Sequence, residues 1–140
     1  MFQFLAIFCC GTFFGAALYI TLVQHPAVLD AGTAFAGRFF PPMYKRAAVL
    51  QVVLAVTGTV ASLIGWLQGA GAWWLIGALL LFAVVPFTLV RMHSLVEQLL
   101  KLGPDADASL AERLLREWGT LHAVRTLLSG LAFAILLASV

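Results

Sequence analysis

His122 and Arg125 stand three residues apart in "LREWGTLHAVRT", where a charged stretch runs into apolar residues that continue to Val140. That spacing places both side chains on one face of a helix. An imidazole can accept and return a proton near neutral pH. A guanidinium presents a planar fork of donors suited to a developing oxyanion. Together they could deprotonate an acidic organic molecule and hold the anion that results. The competing reading is topological: Arg125 reaches back to the membrane surface and anchors the helix.

The composition sets these residues in a membrane. Hydrophobic residues make up 63% of the 140-residue chain and charged residues 10%, whereas soluble domains carry roughly a quarter charged residues. Four stretches approach the ~20 apolar residues that a span requires: 2–24, 47–67, 73–90 and 121–140. All four are apolar on every side, which favours helices over barrel strands. The expected fold is all-α: a single integral membrane domain over residues 1–140, built as an antiparallel bundle of four transmembrane helices. The first stretch has no basic residue ahead of it and is too long for a signal-peptide core, so it reads as a retained span.

Charge gives an orientation. The eight Lys and Arg, the six acids and the three histidines all fall within 24–46, within 91–120, or just inside the fourth span. By the positive-inside rule these connections are expected in the cytoplasm of a bacterial inner membrane, with both termini outside. Trp66, Trp73 and Trp74 bracket the opposite turn as an aromatic belt. The bilayer is therefore the first partner. The basic balance serves anchoring, and no basic patch interleaved with aromatics suggests nucleic acid. GxxxG spacings at Gly11–Gly15 and Gly65–Gly69 serve close packing inside one bundle or in a homo-oligomer.

Within the first connection, Phe35, Phe39, Phe40 and Tyr44 suggest a short interfacial element broken at Pro41–Pro42. The second connection reads as a cytoplasmic helical extension between the third and fourth helices. Leu95, Val96, Leu99 and Leu100 form its apolar stripe, Gly103–Pro104 stops its first helix, and Asp105, Asp107 and Ser109 offer caps for the next.

Depth along the helices sorts the polar residues. Counted from the termini and from Ala70 in the turn, Thr21, Gln51, Thr88 and His122 lie about 18–19 residues in, roughly 28 Å at about 1.5 Å per residue. Arg125 lies one turn deeper. His25, Tyr44, His93, Glu97 and Trp118 form a layer nearer the charged surface. Polar groups inside spans usually face the bundle interior. His25, His93 and His122 leave a metal or haem open as an alternative, without a local ligand motif. Cys9 and Cys10 are adjacent and read as small packing residues, with no CxxC or Cys/His spacing. No GxGxxG, P-loop, HExxH or GxSxG motif occurs.

"LVQHPAVLDAG", "YKRAAVLQ" and "LREWGTLHAVRT" together resemble the anthrone oxygenase-like family of small four-helix membrane proteins. The resemblance implies oxidation of an anthrone-like aromatic by molecular oxygen. It places weight on His25, on Tyr44, Arg46 and Gln51, and on Trp118, His122 and Arg125. It departs at "PFTLVRMHSLVEQLL", where His93 stands and the expected Asn does not. The expected site therefore has His122, Arg125 and His25 as reacting groups. Gln51, Tyr44, Trp118, Thr21, Thr88 and Arg46 are expected to bind a phenolic or quinol-type aromatic taken from the bilayer. No cofactor is required on this reading. The alternative is a non-catalytic membrane subunit that binds quinone, haem or another hydrophobic ligand.

Overall fold

The computed structural model describes residues 1–103 and 105–140; Pro104, expected to help end the third helix, lies outside the described residues. The described residues form four long helices and no strand. They are α1 (Phe2–Asp30), α2 (Thr33–Leu67), α3 (Ala72–Lys101) and α4 (Ala108–Ala138). With apolar side chains outside, each backbone meets its hydrogen-bonding demand within its own helix, as a hydrocarbon environment requires. α1 and α3 each pack against both α2 and α4, which closes an antiparallel four-helix ring.

The helices hold 29, 35, 30 and 31 residues. At about 1.5 Å per residue they are roughly 44–52 Å long, well beyond a hydrocarbon core of about 30 Å. The surplus lies at the charged end of the bundle, so the helices themselves make the extension expected from the second connection. Val49, Val53, Val56 and Val60 form an exposed apolar stripe on α2, and Leu127 and Leu131 continue the same kind of surface on α4. Side chains of this size on the outside are what acyl chains cover.

The first connection differs from expectation. α1 runs on to Asp30, a turn at Ala31–Gly32 follows, and α2 begins at Thr33. α2 then passes without interruption through Pro41 and Pro42. The two prolines remove two backbone donors, but their fixed φ suits a helix. Burial of Ala36 and Phe40 against Leu95, Leu99, Leu115 and Trp118 holds the segment in line. Packing thus overrides the local breaking signal. Gly32 at φ 95°, Gly69 at φ 87° and Gly71 at φ 103° occupy left-handed backbone that lets such short turns reverse the chain.

Two apolar cores stack along the bundle axis. One, around Cys10, Phe13, Trp74, Leu81 and Leu136, fills the end near the termini. The other, around Phe40, Met92, Leu99, Leu115 and Trp118, fills the charged end. α1 and α3 each widen by a π-helical turn where these cores meet, at Ile20–Gln24 and Thr88–Met92. Pro26 just after the first turn lacks the N–H that would bond back to Leu22, which favours the wider winding. At the charged end α4 starts on an Asp107 cap that accepts from the backbone N–H of Ser109 (2.7 Å) and Leu110 (3.3 Å). The Ser109 hydroxyl, followed by these N–H groups, holds the Asp107 carboxyl below the usual carboxylate range.

Candidate functional site

Between the two cores lies a cavity of about 710 Å³, counting its open mouth. Its apolar wall includes Phe13, Ile20, Met43, Ala55, Val84 and Val85. Val52 on α2 and Leu89 on α3 also line it, yet are 54% and 64% exposed on the outer surface. The mouth therefore opens sideways between α2 and α3, toward the surface that lipid covers.

The polar wall is made by Tyr44, Gln51, Thr88, Trp118, His122 and Arg125. His122 and Arg125 come from successive turns of α4, and both are buried. Gln51 projects from α2 and accepts a hydrogen bond from Arg125 Nη2 at 2.8 Å. Arg125 Cζ also sits 5.9 Å from the centroid of the Phe13 ring, within cation–π range. No Asp or Glu lines the cavity, and Arg125 makes no ion pair among the described residues. Gln51 Nε2 and Arg125 Nε are sealed by neighbouring atoms and have no hydrogen-bond partner. Buried donors in folded proteins are nearly always paired. Two donors behind the wall are therefore unpaired, and the positive charge of Arg125 is uncompensated.

His122 Nδ1 lies 3.1 Å from Thr21 Oγ1, and the same Thr21 oxygen lies 2.8 Å from Thr126 Oγ1. The Trp118 indole tilts over the His122 ring at 4.8 Å between centroids. Its other neighbours are the His25 ring at 5.2 Å and the Phe40 ring, edge-on at 5.2 Å. Gly119 makes room for this arrangement: a Cβ there would collide with His25 Nε2 and Cδ2. Phe40 in turn stacks on Tyr44 at 5.6 Å. An aromatic layer thus floors the cavity on its charged side.

The structure treats the expected site residues unequally. Tyr44, Gln51, Thr88, Trp118, His122 and Arg125 share the cavity wall, while Thr21 touches His122 from behind. His25 lies on the far side of Trp118, in a small neighbouring hollow with Gln24, Phe39 and Leu115. Arg46 is exposed and away from the cavity, as is His93. His25, His93 and His122 are therefore not gathered, and the described residues contain no group of three or more His, Cys, Asp or Glu that could hold a metal. Sequence reasoning missed Phe13 and Thr126. Thr126 carries a signal in retrospect, being one turn beyond His122 on the same face; nothing in the type or spacing of Phe13 marks it.

These features define a multi-pass membrane bundle with a buried cation beside a lipid-facing cavity. The chain matches the family described as anthrone oxygenase over residues 40–135 and belongs to that family. No curated protein and no solved structure matches it.

Proposed function

We propose that this chain oxidises a lipid-soluble, hydroxylated fused aromatic, of the anthrone type, with molecular oxygen. One observation carries the reading: Arg125 is buried beside the cavity with Gln51 as its hydrogen-bond partner and no carboxylate to balance its charge. An unpaired charge in a membrane interior is expensive, and such residues mark functional sites. An anionic aromatic oxygen supplies the missing counter-charge.

The chemistry follows from the neighbours. His122 Nε2 removes a proton from the methylene flanked by the aromatic rings, and the charge spreads to the ring oxygen held by Arg125. The carbanion forms a C–O bond with dioxygen, and the protonated His122 returns its proton to the distal oxygen. Loss of the second methylene proton breaks the O–O bond and leaves a carbonyl. The carbon loses two hydrogens and gains one oxygen atom, and the other oxygen departs as water. One dioxygen is consumed per methylene, and no other oxidant enters. A donor placed at a developing oxyanion typically contributes about 10²–10³ in rate.

The reading extends to place. The charged end, with its arginines and lysines, faces the cytoplasm of a bacterial inner membrane, so the cavity lies about one helical turn or two below the cytoplasmic surface. The test is oxygen uptake by the purified protein in lipid nanodiscs, with a hydroxylated anthrone as substrate and an Arg125→Lys variant beside it. One dioxygen per quinone formed, with at least a hundredfold loss in the variant, supports the proposal. Uptake no faster than in empty nanodiscs overturns it.

A further inference from the structure

Two hydroxyls, those of Thr21 and Thr126, stand on the Nδ1 side of the His122 ring. We infer that Thr21 and Thr126 form a latch that holds His122 as its Nδ1–H tautomer, leaving the Nε2 lone pair free on the cavity side. The inference rests on the role proposed for His122 but not on any particular substrate.

The number of available protons selects the tautomer. Four groups are in reach of one another: His122 Nδ1, Thr21 Oγ1, Thr126 Oγ1 and the His122 backbone carbonyl. Their separations are 3.1 Å, 2.8 Å and 3.2 Å in that order. The carbonyl can only accept, so Thr126 spends its one hydroxyl proton there. Its oxygen then accepts from Thr21, whose own proton is thereby used. Thr21 must in turn accept, and the donor is Nδ1–H. Three protons serve three contacts, and the chain of bonds runs in one direction.

The reverse tautomer serves fewer contacts. With Nδ1 bare, Thr21 donates to it and Thr126 donates to Thr21, which leaves the 3.2 Å approach to the carbonyl without a hydrogen. The difference is one hydrogen bond in a site where Thr126 and His122 are both buried. One such bond corresponds to roughly a five- to tenfold preference. Free histidine side chains in water favour the opposite form, Nε2–H, so the latch reverses the default.

The fold explains why a hydroxyl stands at Thr21. The π-helical turn Ile20–Gln24 widens α1 there, Ile20 turns toward the cavity, and Thr21 turns toward α4. Nε2 makes no hydrogen bond to any described residue, and His122 is among the residues that line the cavity. When Nε2 gains a proton, Nδ1–H keeps donating to Thr21, so no partner has to reorient during transfer. Thr21 and Thr126 are thus positioning residues: they touch His122 and do not line the cavity.

The test is nitrogen NMR of the full chain, labelled with 15N-histidine in lipid nanodiscs at neutral pH and without substrate. The His122 signals are assigned by their loss in His122→Gln. Expected is a protonated, pyrrole-type Nδ1 and a pyridine-type Nε2. Thr21→Val and Thr126→Val should move the population several-fold toward Nε2–H, while Thr126→Ser, which keeps the hydroxyl, should retain the native pattern. A predominantly Nε2–H or doubly protonated His122 in the unmodified protein overturns the latch. So does an Nδ1–H form that both valine variants leave unchanged. Because no turnover is read, the latch can stand where the oxygenase proposal fails, and the reverse.

Discussion

Replacing Gln51 with Glu exchanges one amide nitrogen for an oxygen and changes little in shape. It also gives Arg125 the counter-ion that the structure withholds. Gln51 Oε1 already accepts from Arg125 Nη2 at 2.8 Å, so the new carboxylate would sit with its charge centre roughly 4 Å from the guanidinium. At an effective dielectric of about 20, a unit pair at that distance is worth about 4 kcal/mol. An anionic ligand oxygen that relies on Arg125 must forgo that attraction, which amounts to about a thousandfold in affinity at about 1.4 kcal/mol per decade. Folding behaves differently. Burial of the carboxylate offsets part of the gain, so thermal stability in detergent should hold or rise slightly. Gln51→Leu makes the contrast: it strips Arg125 of its partner and should lower stability by about 1–3 kcal/mol, with the anion site still charged. The assay pairs a melting curve with titration of a phenolate probe that fluoresces in the cavity. A Gln51→Glu protein that binds the probe as the parent does would refute the idea that Arg125 is held unpaired for a ligand.

Other outcomes follow from the same geometry. His122→Asn, which keeps a polar group but cannot act as a base, should leave probe binding within a few-fold and reduce oxygen uptake by about a hundredfold or more. Gly119→Ala places a methyl against the His25 ring; overpacking of this kind should cost about 1–3 kcal/mol, and a melting curve of Gly119→Ala with His25→Ala should recover most of it. A single cysteine at Ala106, in a variant lacking Cys9 and Cys10, should be labelled by a membrane-impermeant maleimide in inverted but not in right-side-out vesicles, since the charged end is expected in the cytoplasm. Labelling from the outside would reverse the orientation.

The proximity of several polar residues was legible in the sequence because a helix is a ruler. Distance from the helix ends matches Thr21, Gln51, Thr88 and His122 in depth, and the structure sets Thr21 beside His122 and Gln51 beside Arg125. The ruler reads depth but not azimuth. Tyr44 and Arg46 both belong to "YKRAAVLQ", yet two residues turn a helix by about 200°, so with Tyr44 at the cavity Arg46 must look outward. Depth alone puts Trp118 in a separate surface layer, although one turn is all that parts it from His122, and its ring spans the gap. The prolines misled for a related reason. Local propensity argues for a break at Pro41–Pro42, while the contacts that keep α2 whole come from α3 and α4, distant in sequence. The π-helical turns gave no advance sign beyond Pro26, because a one-residue widening leaves the hydrophobic pattern nearly intact.

The sideways mouth between Val52 and Leu89 changes what concentration means for this protein. A molecule that enters there arrives by two-dimensional diffusion from the acyl phase, so the quantity that fills the cavity is its mole fraction in lipid. A compound scarce in water but strongly partitioned into the bilayer would be abundant at the mouth. Dioxygen, itself more soluble in hydrocarbon than in water, would be enriched along the same route. Growth of the surrounding membrane would then lower occupancy by surface dilution, even with the amount of both protein and ligand unchanged.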